Sequence, residues 1–411
     1  MTDQPLVART HHLDLDIDPM VVAGADGVLF SRNRVGFGGR GVAARISRTE
    51  VADALTAVRV ETDEVDRSGS GPVAFGALPF LPGAPAELVI PEVLVCRDPD
   101  GSRWITTVQQ ANAEPFDIPA LAAELHDASH AKRRFGPGPG AFSVVTSRAP
   151  ADWTDAVAQA TARIRSGGLE KVVLAREVVV TADAPIPVDT VLLRLAQAYP
   201  DCYLYLVDGF CGASPELLVG RSGDQVKAQP MAGTAPRRGD PAADAKLAAG
   251  LLSSASYRHE HQVTIDEVHD GLLAFSSYVD YEPEPSVVAL ANVQHLATTV
   301  EGRLSHPPAS ILDLVEALHP TPAVCGRPRN AALQTIADLE GFDRGPYAGA
   351  VGWVDADGNG QWAVSIRGAS IQGNVARVVA GNGLVADSDP ATELIETRAK
   401  LQAMLAAIVR P

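Results

Sequence analysis

Short runs of β-branched and apolar residues, separated by turn-forming residues, recur from residue 142 onward and limit the fold most strongly. These runs span residues 142–146, 171–180, 203–207, 287–290, 349–354, 361–366 and 375–380. Apolar residues at helical spacing mark residues 118–131, 152–165 and 188–197. Strand–turn–strand units beside long helices favour a mixed α/β (α+β) protein over a regular alternation of parallel strands and helices.

The composition predicts a protein with ample core and an excess of acid. Of 411 residues, 46% are hydrophobic and 20% are charged, and 50 acidic against 34 basic side chains give a net charge of −16. That charge argues against nucleic-acid binding through bulk electrostatics. No apolar run reaches the roughly 18 residues of a membrane helix, and residues 1–4 lack the basic and apolar regions of a signal peptide. We therefore expect a soluble cytoplasmic protein with no membrane partner.

Cysteine and histidine spacing predicts neither a disulfide framework nor a zinc site. The four cysteines are Cys96, Cys202, Cys211 and Cys325. They lie far apart without a CxxC pair, so we expect reduced, mostly buried thiols. Residues 259–261 read His-Glu-His, but a zinc-protease helix needs its second histidine where Val263 stands. We interpret the two histidines as a solvated or hydrogen-bonded pair.

Two glycine-containing segments imitate ligand-binding loops. Residues 36–41 fit the pattern GxGxxG, but the following residues 42–46 look extended, whereas a dinucleotide site requires a helix there. We predict a glycine-rich turn. Residues 355–360 resemble the start of a calcium loop, yet the twelfth position is Ile366 where a bidentate Glu is needed. A hairpin turn between two strands is the better interpretation.

The C-terminal segment combines a glycine-rich stretch with a helix that carries acids. Residues 381–388 are predicted to form a turn, after which Asp389 as N-cap and Pro390 at the first position begin a long helix. One face of that helix presents Glu393, Glu396 and Lys400. Spacing alone favours a solvated, salt-bridged face. The adjoining turn adds backbone donors, and the combination suits an anionic ligand held through a hard cation such as Mg²⁺.

Nine motifs follow one another in a fixed order along the chain. They occupy residues 171–176 (KVVLAR), 213–217 (ASPEL), 230–234 (PMAGT), 260–261 (EH), 293–296 (VQHL), 319–326 (HPTPAVCG), 345–349 (GPYAG), 365–367 (SIR) and 389–400. With these motifs the chain resembles the chorismate-utilising enzymes, and among them the isochorismate synthases. The resemblance covers residues 150–405, whereas residues 1–130 are similar only loosely, as the variable N-terminal part of the family.

The resemblance implies large antiparallel sheets packed as a β-sandwich with helices on the outside. The whole chain, residues 1–411, then forms a single domain. Residues 133–140, with three glycines and two prolines, would otherwise be the best domain boundary. Under the resemblance they become a loop within that domain.

The resemblance also implies a Mg²⁺-anchored chorismate site. Glu260 and Glu396 would bind the metal, and Glu393 would assist. Arg367 would grip the enolpyruvyl carboxylate, since a guanidinium can bind a carboxylate through two parallel hydrogen bonds. The remaining substrate-binding residues implied are Gly233, Thr234, His295, Ala323, Tyr347, Gly381, Gly383 and Lys400. The positive end of the helix after Asp389 would point toward the same anion.

The resemblance makes Lys171 the base that activates water and Glu216 the acid that protonates the departing hydroxyl. Water would add at ring carbon 2 while the hydroxyl at carbon 4 leaves. On its own, a lysine at the start of a strand is usually an exposed edge residue, and a glutamate after proline is usually a surface acid. Only the surrounding motifs reverse those interpretations. Glu216 must keep its proton near neutral pH, which burial would favour.

Two alanines discriminate among the related enzymes. Ala232 stands where aminodeoxychorismate synthases carry a nucleophilic lysine, so the nucleophile would be external, either water or ammonia. Ala323 stands where salicylate and anthranilate synthases generally carry Thr, and it matches the isochorismate synthases. Tyr257 is a departure, because many relatives have an acid there, and the change puts the metal affinity in doubt.

Three functions therefore remain open from the sequence. The first is a Mg²⁺-dependent isochorismate synthase that acts as a monomer on chorismate without an amidotransferase subunit. The second is a salicylate synthase or another chorismate lyase related to anthranilate synthase component I. The third is a non-catalytic relative, which the paired Lys171 and Glu216 disfavour. Menaquinone synthesis, siderophore synthesis and other pathways all remain open as destinations of the product.

Overall fold

Three β-sheets organise the computed structural model, which describes residues 5–131, 138–237 and 239–409. Within those ranges the sheets contain 13, 9 and 3 strands. Neighbouring strands are antiparallel, with the pair formed by Leu6–His12 and Arg59–Asp63 as the parallel exception. The predicted mixed α+β class with large antiparallel sheets is confirmed.

The strands before residue 131 contribute to both large sheets. They are β1 (Leu6–His12), β2 (Val28–Arg32), β3 (Val35–Arg40), β4 (Ala44–Ser47), β5 (Arg59–Asp63), β6 (Val73–Leu78), β7 (Glu87–Ile90), β8 (Val93–Arg97) and β9 (Arg103–Gln110). The first large sheet includes β1, β2, β3, β5, β8 and β9, and the second includes β4, β6 and β7.

The strands after residue 138 complete these sheets and form the small one. They are β10 (Phe142–Thr146), β11 (Lys171–Ala182), β12 (Tyr203–Val207), β13 (Phe210–Ser214), β14 (Leu217–Ser222), β15 (Gln225–Gln229), β16 (Met231–Pro236), β17 (Ser276–Tyr281), β18 (Ser286–Ala289), β19 (Val293–Ala297), β20 (Val300–Leu304), β21 (Gly326–Arg327), β22 (Ala350–Asp355), β23 (Gly360–Val364), β24 (Gly368–Gln372) and β25 (Val375–Leu384). The small sheet has the order β16–β19–β18.

Helices connect the strands, and several of them begin at a side-chain cap. They are α1 (Pro19–Ala23), α2 (Val51–Ala57), α3 (Ile118–His130), α4 (Pro150–Arg165), α5 (Val188–Ala198), α6 (Pro241–Ser253), α7 (Ala255–Leu273), α8 (Ile311–Leu318), α9 (Arg329–Leu339) and α10 (Pro390–Val409). The predicted N-cap of α10 is confirmed, since Asp389 Oδ1 accepts a hydrogen bond from the Thr392 amide at 2.9 Å. A capping box formed by Ser310 and Asp313 begins α8 in the same way.

An apolar layer joins the two large sheets face to face. The Phe37 ring of β3 lies 5.9 Å from the Phe75 ring of β6 and 4.8 Å from the Trp353 ring of β22, measured between ring centroids. These aromatic side chains belong to one buried cluster with residues from both sheets. The packing is the sandwich that the resemblance implied.

The first 110 residues are interleaved with the rest of the chain. Strand β2 pairs with β12 in the first large sheet, and β6 pairs with β22 in the second. This interleaving supports the single-domain organisation, which stays a prediction. Most of the stretch 133–140 lies outside the described residues, so its predicted loop structure does too.

Two glycine-rich segments differ from the predicted turns. Residues 36–40 lie within β3, and residues 381–383 lie within β25. A Cβ atom at Gly38 would collide with the Pro19 carbonyl oxygen, so this glycine lets α1 lie directly on β3. Residues 355–360 do connect β22 to β23 as the predicted hairpin turn.

Two further predictions from the sequence concern the cysteine thiols and membrane-spanning helices. All four cysteines are free and buried. Across the described ranges, none of the helices combines the length and the apolar character that crossing a bilayer requires.

Candidate active site

A cavity of about 900 Å³ collects every site residue predicted from the sequence. Its lining includes Lys171, Glu216, Gly233, Thr234, Glu260, His295, Ala323, Tyr347, Arg367, Gly381, Gly383, Glu393, Glu396 and Lys400. A larger groove of about 1190 Å³ runs between the sheets and contains none of them. The chemistry suggested by the sequence therefore concentrates in the smaller cavity.

Lys171 enters this cavity as the first residue of β11. Its Nζ donates to Glu260 Oε1 at 2.6 Å, and only 12% of the lysine side chain is exposed. A Cβ on Gly383 of the neighbouring β25 would come within 2.7 Å of the lysine Cε, so the glycine leaves room for the lysine stem. The lysine is thus held against the cavity wall and does not extend into bulk solvent.

Glu216 lies buried between the end of β13 and the start of β14. Its Oε1 accepts a hydrogen bond from the Met231 amide at 3.4 Å. Burial raises the pKa of Glu216 to about 8, although the amide and the charge of Lys171 act in the opposite direction. At neutral pH the carboxyl therefore carries a proton, as a general acid requires.

The acidic side of the cavity is formed by α7 and α10. Burial disfavours the charged form of Glu260, but the ammonium groups of Lys171 and Lys400 outweigh it and lower the pKa of Glu260. Burial, together with the charge of Glu396, raises the pKa of Glu393. The Nζ of Lys400 is 2.8 Å from Glu396 Oε1. The carboxylates are thus spread along two helices and partly neutralised by lysines.

Asn382, for which sequence reasoning predicted no role, links the acidic Glu393 to the basic Lys400. Its Nδ2 donates to Glu393 Oε2 at 2.9 Å, and its Oδ1 accepts from Lys400 Nζ at 2.5 Å. Lys400 Nζ also donates to the Gly381 carbonyl at 3.2 Å. An amide side chain between two glycines beside an acidic helix is the signal that identifies such a residue.

The carboxylate set fits a cation that uses few protein ligands. In the described part of the chain, no three His, Cys, Asp or Glu side chains are close enough to form a metal cluster by themselves. Mg²⁺ commonly takes one or two carboxylates and completes its octahedron with water and substrate oxygens. Glu260 and Glu396 offer this hard-oxygen chemistry at the cavity wall.

Arg367 supplies buried positive charge in an unusual backbone conformation. Its φ of 56° lies in the left-handed region, which non-glycine residues rarely adopt. Burial lowers the pKa of its guanidinium, and Nη1 has no hydrogen-bond partner among the residues that the structure describes. An unpaired buried donor beside a cavity is suited to an anionic ligand. Tyr347 lies nearby, and burial raises the pKa of its phenol to about 12, so the hydroxyl can donate.

Thr234 and His295 pair across the small sheet. Thr234 Oγ1 and His295 Nδ1 are 3.0 Å apart on neighbouring strands β16 and β19. Burial lowers the pKa of His295 to about 3, and the charges of Arg367 and Lys400 act in the same direction. The imidazole is therefore neutral and serves as a hydrogen-bonding group. Gly233 forms the bulge before Thr234 with a φ of 75°.

Tyr257 lines the cavity one helical turn before Glu260. A Cβ on Gly233 would be 3.5 Å from the Tyr257 ring, so the ring packs over this glycine. Burial raises the pKa of Tyr257, and the charges of Glu396, Glu260 and Glu393 contribute. A neutral phenol thus lies beside the three carboxylates.

His261 does not reach the cavity. Its side chain is buried, and its Nε2 lies 2.8 Å from Thr298 Oγ1. Burial lowers the pKa of His261 to about 4. His259 lines the cavity, so the two histidines of the His-Glu-His run face different surroundings. Their separation agrees with the rejection of a zinc site.

A buried ion pair under the cavity floor escaped the sequence analysis. Arg344 and Glu340 each expose 2% of their side chains. The Arg344 guanidinium also donates to the Val173 carbonyl at 2.7 Å and the Val324 carbonyl at 2.9 Å, and both of these residues line the cavity. This pair joins β11 to the loop that carries Ala323. The i,i+4 spacing of an acid and an arginine was its only sequence signal.

Comparison with known proteins gives consistent results. The family model described as chorismate binding enzyme matches residues 43–409. Isochorismate synthase DhbC of Bacillus subtilis is 39% identical over 350 residues, which cover 82% of this chain and 81% of the relative. Isochorismate synthase EntC of Escherichia coli K12 is 36% identical over 339 residues, covering 81% and 80%.

A solved structure shares the fold. The menaquinone-specific isochorismate synthase MenF of Escherichia coli superposes with a TM-score of 0.80 at 24% identity, covering 98% of this chain and 95% of that one. At this level of identity the superposition concerns the architecture of the sheets and helices.

Proposed function

The chain belongs to the family of chorismate-binding enzymes, and we propose that it is an isochorismate synthase that isomerises chorismate to isochorismate. The observation that carries this proposal is the meeting of Lys171 and a protonated Glu216 in one cavity. A base and an acid with these properties are what the addition of water and the loss of a hydroxyl require.

Positive groups at one end of the cavity would bind the substrate. Arg367 would offer its Nη1, which is unpaired within the described ranges, to the enolpyruvyl carboxylate, and Tyr347 can donate a further hydrogen bond. Lys400 adds a buried charge beside Gly381. In a chain of net charge −16, a doubly anionic substrate needs such a local concentration of cations.

Magnesium would be held at the acidic wall formed by α7 and α10. Glu260 and Glu396 would be its protein ligands, and Glu393 would assist through water. The bound ion would neutralise the ring carboxylate and fix the orientation of the ring. Tyr257 would leave this site with one carboxylate fewer than a relative that has an acid at that position.

The reaction itself needs only proton transfers by the protein. Lys171 would act as the base and take a proton from the water whose oxygen bonds to ring carbon 2. Glu216 would give its proton to the hydroxyl leaving carbon 4, which departs as water. The ring double bonds shift between these two events, and the product is an isomer of the substrate. The next turnover requires Lys171 to return its proton and Glu216 to regain one.

Two small side chains would determine which product forms. Ala232 lines the cavity at the position where aminodeoxychorismate synthases carry a lysine, so the nucleophile would be external, and water is the one we propose. Ala323 presents a methyl group and no hydroxyl to the cavity. We expect the enzyme to stop at isochorismate without releasing pyruvate, to work in the cytoplasm as a monomer and to need no amidotransferase subunit.

The decisive experiment incubates the purified protein with chorismate and Mg²⁺, with and without ammonium, and separates the products by chromatography. Isochorismate as the product in both mixtures supports the proposal. Pyruvate release with salicylate would instead identify a salicylate synthase, and an aminated product formed only with ammonium would identify an anthranilate synthase. Unchanged chorismate under every condition would reject enzymatic activity.

A further inference from the structure

Tyr205 lies across two glycines on neighbouring strands. In the first large sheet, Tyr205 of β12 pairs with Gly212 of β13, and Gly212 pairs with Gly368 of β24. A Cβ on either glycine would collide with the Tyr205 hydroxyl. Since strands are about 4.8 Å apart, two successive glycines let one long side chain reach the second strand away from its own.

The hydroxyl of Tyr205 reaches the segment that carries Arg367. It donates to the Ile366 carbonyl at 3.1 Å, and Tyr205 itself is fully buried. The backbone carbonyl of Arg367 itself accepts a hydrogen bond from the Ala213 amide at 3.1 Å. Arg367 holds a left-handed φ of 56°, which persists only when surrounding contacts determine it. The Tyr205 hydroxyl is one of those contacts.

Ser214 forms a second link, between this segment and Glu216. The Ser214 hydroxyl donates to the Val364 carbonyl at 2.6 Å and accepts from the Glu216 amide at 3.3 Å. The Val364 amide in turn donates to the Glu216 carbonyl at 3.0 Å. Ser214 is completely buried and, like Tyr205, is absent from the cavity lining. The backbone of the acid is therefore bonded directly to the segment that leads into Arg367.

We propose that Tyr205 and Ser214 are positioning residues that fix the Arg367 guanidinium and the Glu216 carboxyl relative to each other. This inference rests on the proposed function, in which the two side chains act on different groups of one substrate, the enolpyruvyl carboxylate and the departing hydroxyl. A displacement of about 1 Å of a catalytic group can cost on the order of a hundredfold in rate. Neither hydroxyl contacts the substrate, so each acts through the residue whose backbone it holds.

The two residues should affect different kinetic parameters. Arg367 binds the substrate carboxylate in the ground state and in the transition state alike, so its displacement raises KM. Glu216 acts only as the hydroxyl leaves, so its displacement lowers kcat. We expect Tyr205→Phe to raise the KM for chorismate about tenfold with kcat within about twofold of the parent. We expect Ser214→Ala to lower kcat about tenfold with little change in KM.

Matched controls exist on the adjacent strands. Tyr203→Phe removes a hydroxyl two residues along β12, from a tyrosine that faces Arg32. Ser31→Ala removes a buried hydroxyl from β2, the other neighbour of β12. Both controls should keep parental KM and kcat. Melting temperatures of all four variants would identify any that fails to fold.

A double-mutant cycle tests whether Tyr205 acts through Arg367. The KM effects of Tyr205→Phe and Arg367→Lys should be strongly non-additive, because the second change removes the group that the first one positions. Additive effects, or a Tyr205→Phe enzyme with parental KM, would overturn the inference. The inference would also be overturned if KM and kcat changed by the same factors in Tyr205→Phe as in Tyr203→Phe.

The outcome is separable from that of the proposed function. If the parent protein makes no isochorismate, the proposed function fails before any variant is compared. If the parent makes it and all four variants behave alike, the positioning role fails and the function stands. Should Tyr205→Phe melt far below the parent, chorismate binding to folded Tyr205→Phe at low temperature, measured by calorimetry against Tyr203→Phe, replaces the KM comparison. Equal affinities of those two variants would then count against the role.

Discussion

The Nζ of Lys171 and the Oε1 of Glu260 are 2.6 Å apart, which joins the first residue of β11 to the middle of α7. The proposed base and a proposed metal ligand are therefore in direct contact. Because both side chains are mostly buried, with 12% and 30% exposed, the pair is screened less by solvent than a surface pair. This contact fixes the strand that carries the base against the helix that carries the carboxylate.

Removing the amine should abolish most of the activity. We expect Lys171→Ala to reduce isochorismate formation by at least about a hundredfold, since general base catalysis contributes on the order of 10²–10⁴. Lys227→Ala is the control, because Lys227 forms an exposed ion pair with Glu301 away from the cavity. Product chromatography measures both. Parental turnover by Lys171→Ala would show that the base has been assigned wrongly.

The acid should impose an alkaline limit on the rate. The pKa of Glu216 is raised to about 8 by burial, so the protonated form that donates is lost above that pH. We expect kcat to fall about tenfold per pH unit beyond pH 8. Glu216→Gln should bind chorismate yet fail to hydrate it, as calorimetry and chromatography would show. Unimpaired turnover by this variant would contradict the acid role.

The same carboxyl should make stability depend on pH. Its folded pKa of about 8 exceeds its ordinary value of 4.5, so the folded protein retains a proton that the unfolded chain has lost. Stability from this group is complete below pH 4.5 and decreases as pH rises to about 8. As pH rises through that range, we expect the free energy of unfolding of Glu216→Gln to increase relative to that of the parent by up to about 1.4 kcal/mol per pH unit. Melting temperatures at pH 5 and pH 8 test this, with exposed Glu301→Gln as control, and a constant difference would contradict it.

Metal binding should depend on the two helices of the acidic wall. We expect Glu260→Gln and Glu396→Gln each to weaken Mn²⁺ binding to the substrate-free protein by at least about tenfold, because each removes one of very few carboxylate ligands. Electron paramagnetic resonance measures free Mn²⁺ directly and requires no turnover. Glu301→Gln should bind the ion as the parent does. Equal affinities in all four proteins would exclude these two ligands.

The ion pair under the cavity floor should be costly to break. Arg344→Met leaves the Glu340 carboxylate buried without its cation, and we expect a loss of about 3–5 kcal/mol in the free energy of unfolding. The double variant Glu340→Leu with Arg344→Met removes the unpaired charge but should recover only part of that loss, because the Val173 and Val324 carbonyls and the Ala175 amide lose their hydrogen-bond partners. Denaturant unfolding measures both.

A surface pair at the end of α9 provides the comparison. Arg163 and Asp338 join α4 to α9 at the surface, and replacing both by alanine should change stability by no more than about 1 kcal/mol. A loss for Arg344→Met no greater than that of the surface variant would refute the importance of the buried pair.

Local sequence patterns correctly predicted those helices and strands whose conformation is determined by residues close together in the sequence. The β-branched run that became β11 and the Asp389 cap of α10 are determined by neighbours in sequence. The glycines of β3 and β25 were predicted as turns because glycine favours turns when nothing else is known. Their actual role is to allow close approach by α1 and by the stem of Lys171, and these contacts come from distant parts of the chain.

Sequence reasoning likewise found some residues of the site and missed others. The charged site residues were identified through the family resemblance, and all of them line one cavity. Sequence reasoning missed Asn382, Tyr205, Ser214 and the Arg344–Glu340 pair, because these residues act through backbone groups or through other side chains. Their partners are up to 171 positions away in sequence, and no local pattern records such distances.

The pairing of β2 with β12 and of β6 with β22 has a practical consequence. A truncated product that began near residue 138 would leave β12 and β22 each with one unpaired edge, and exposed strand edges promote aggregation between copies. Expression trials and gene fusions should therefore keep the chain whole. During synthesis on the ribosome, neither large sheet can be completed until the final third of the polypeptide has emerged.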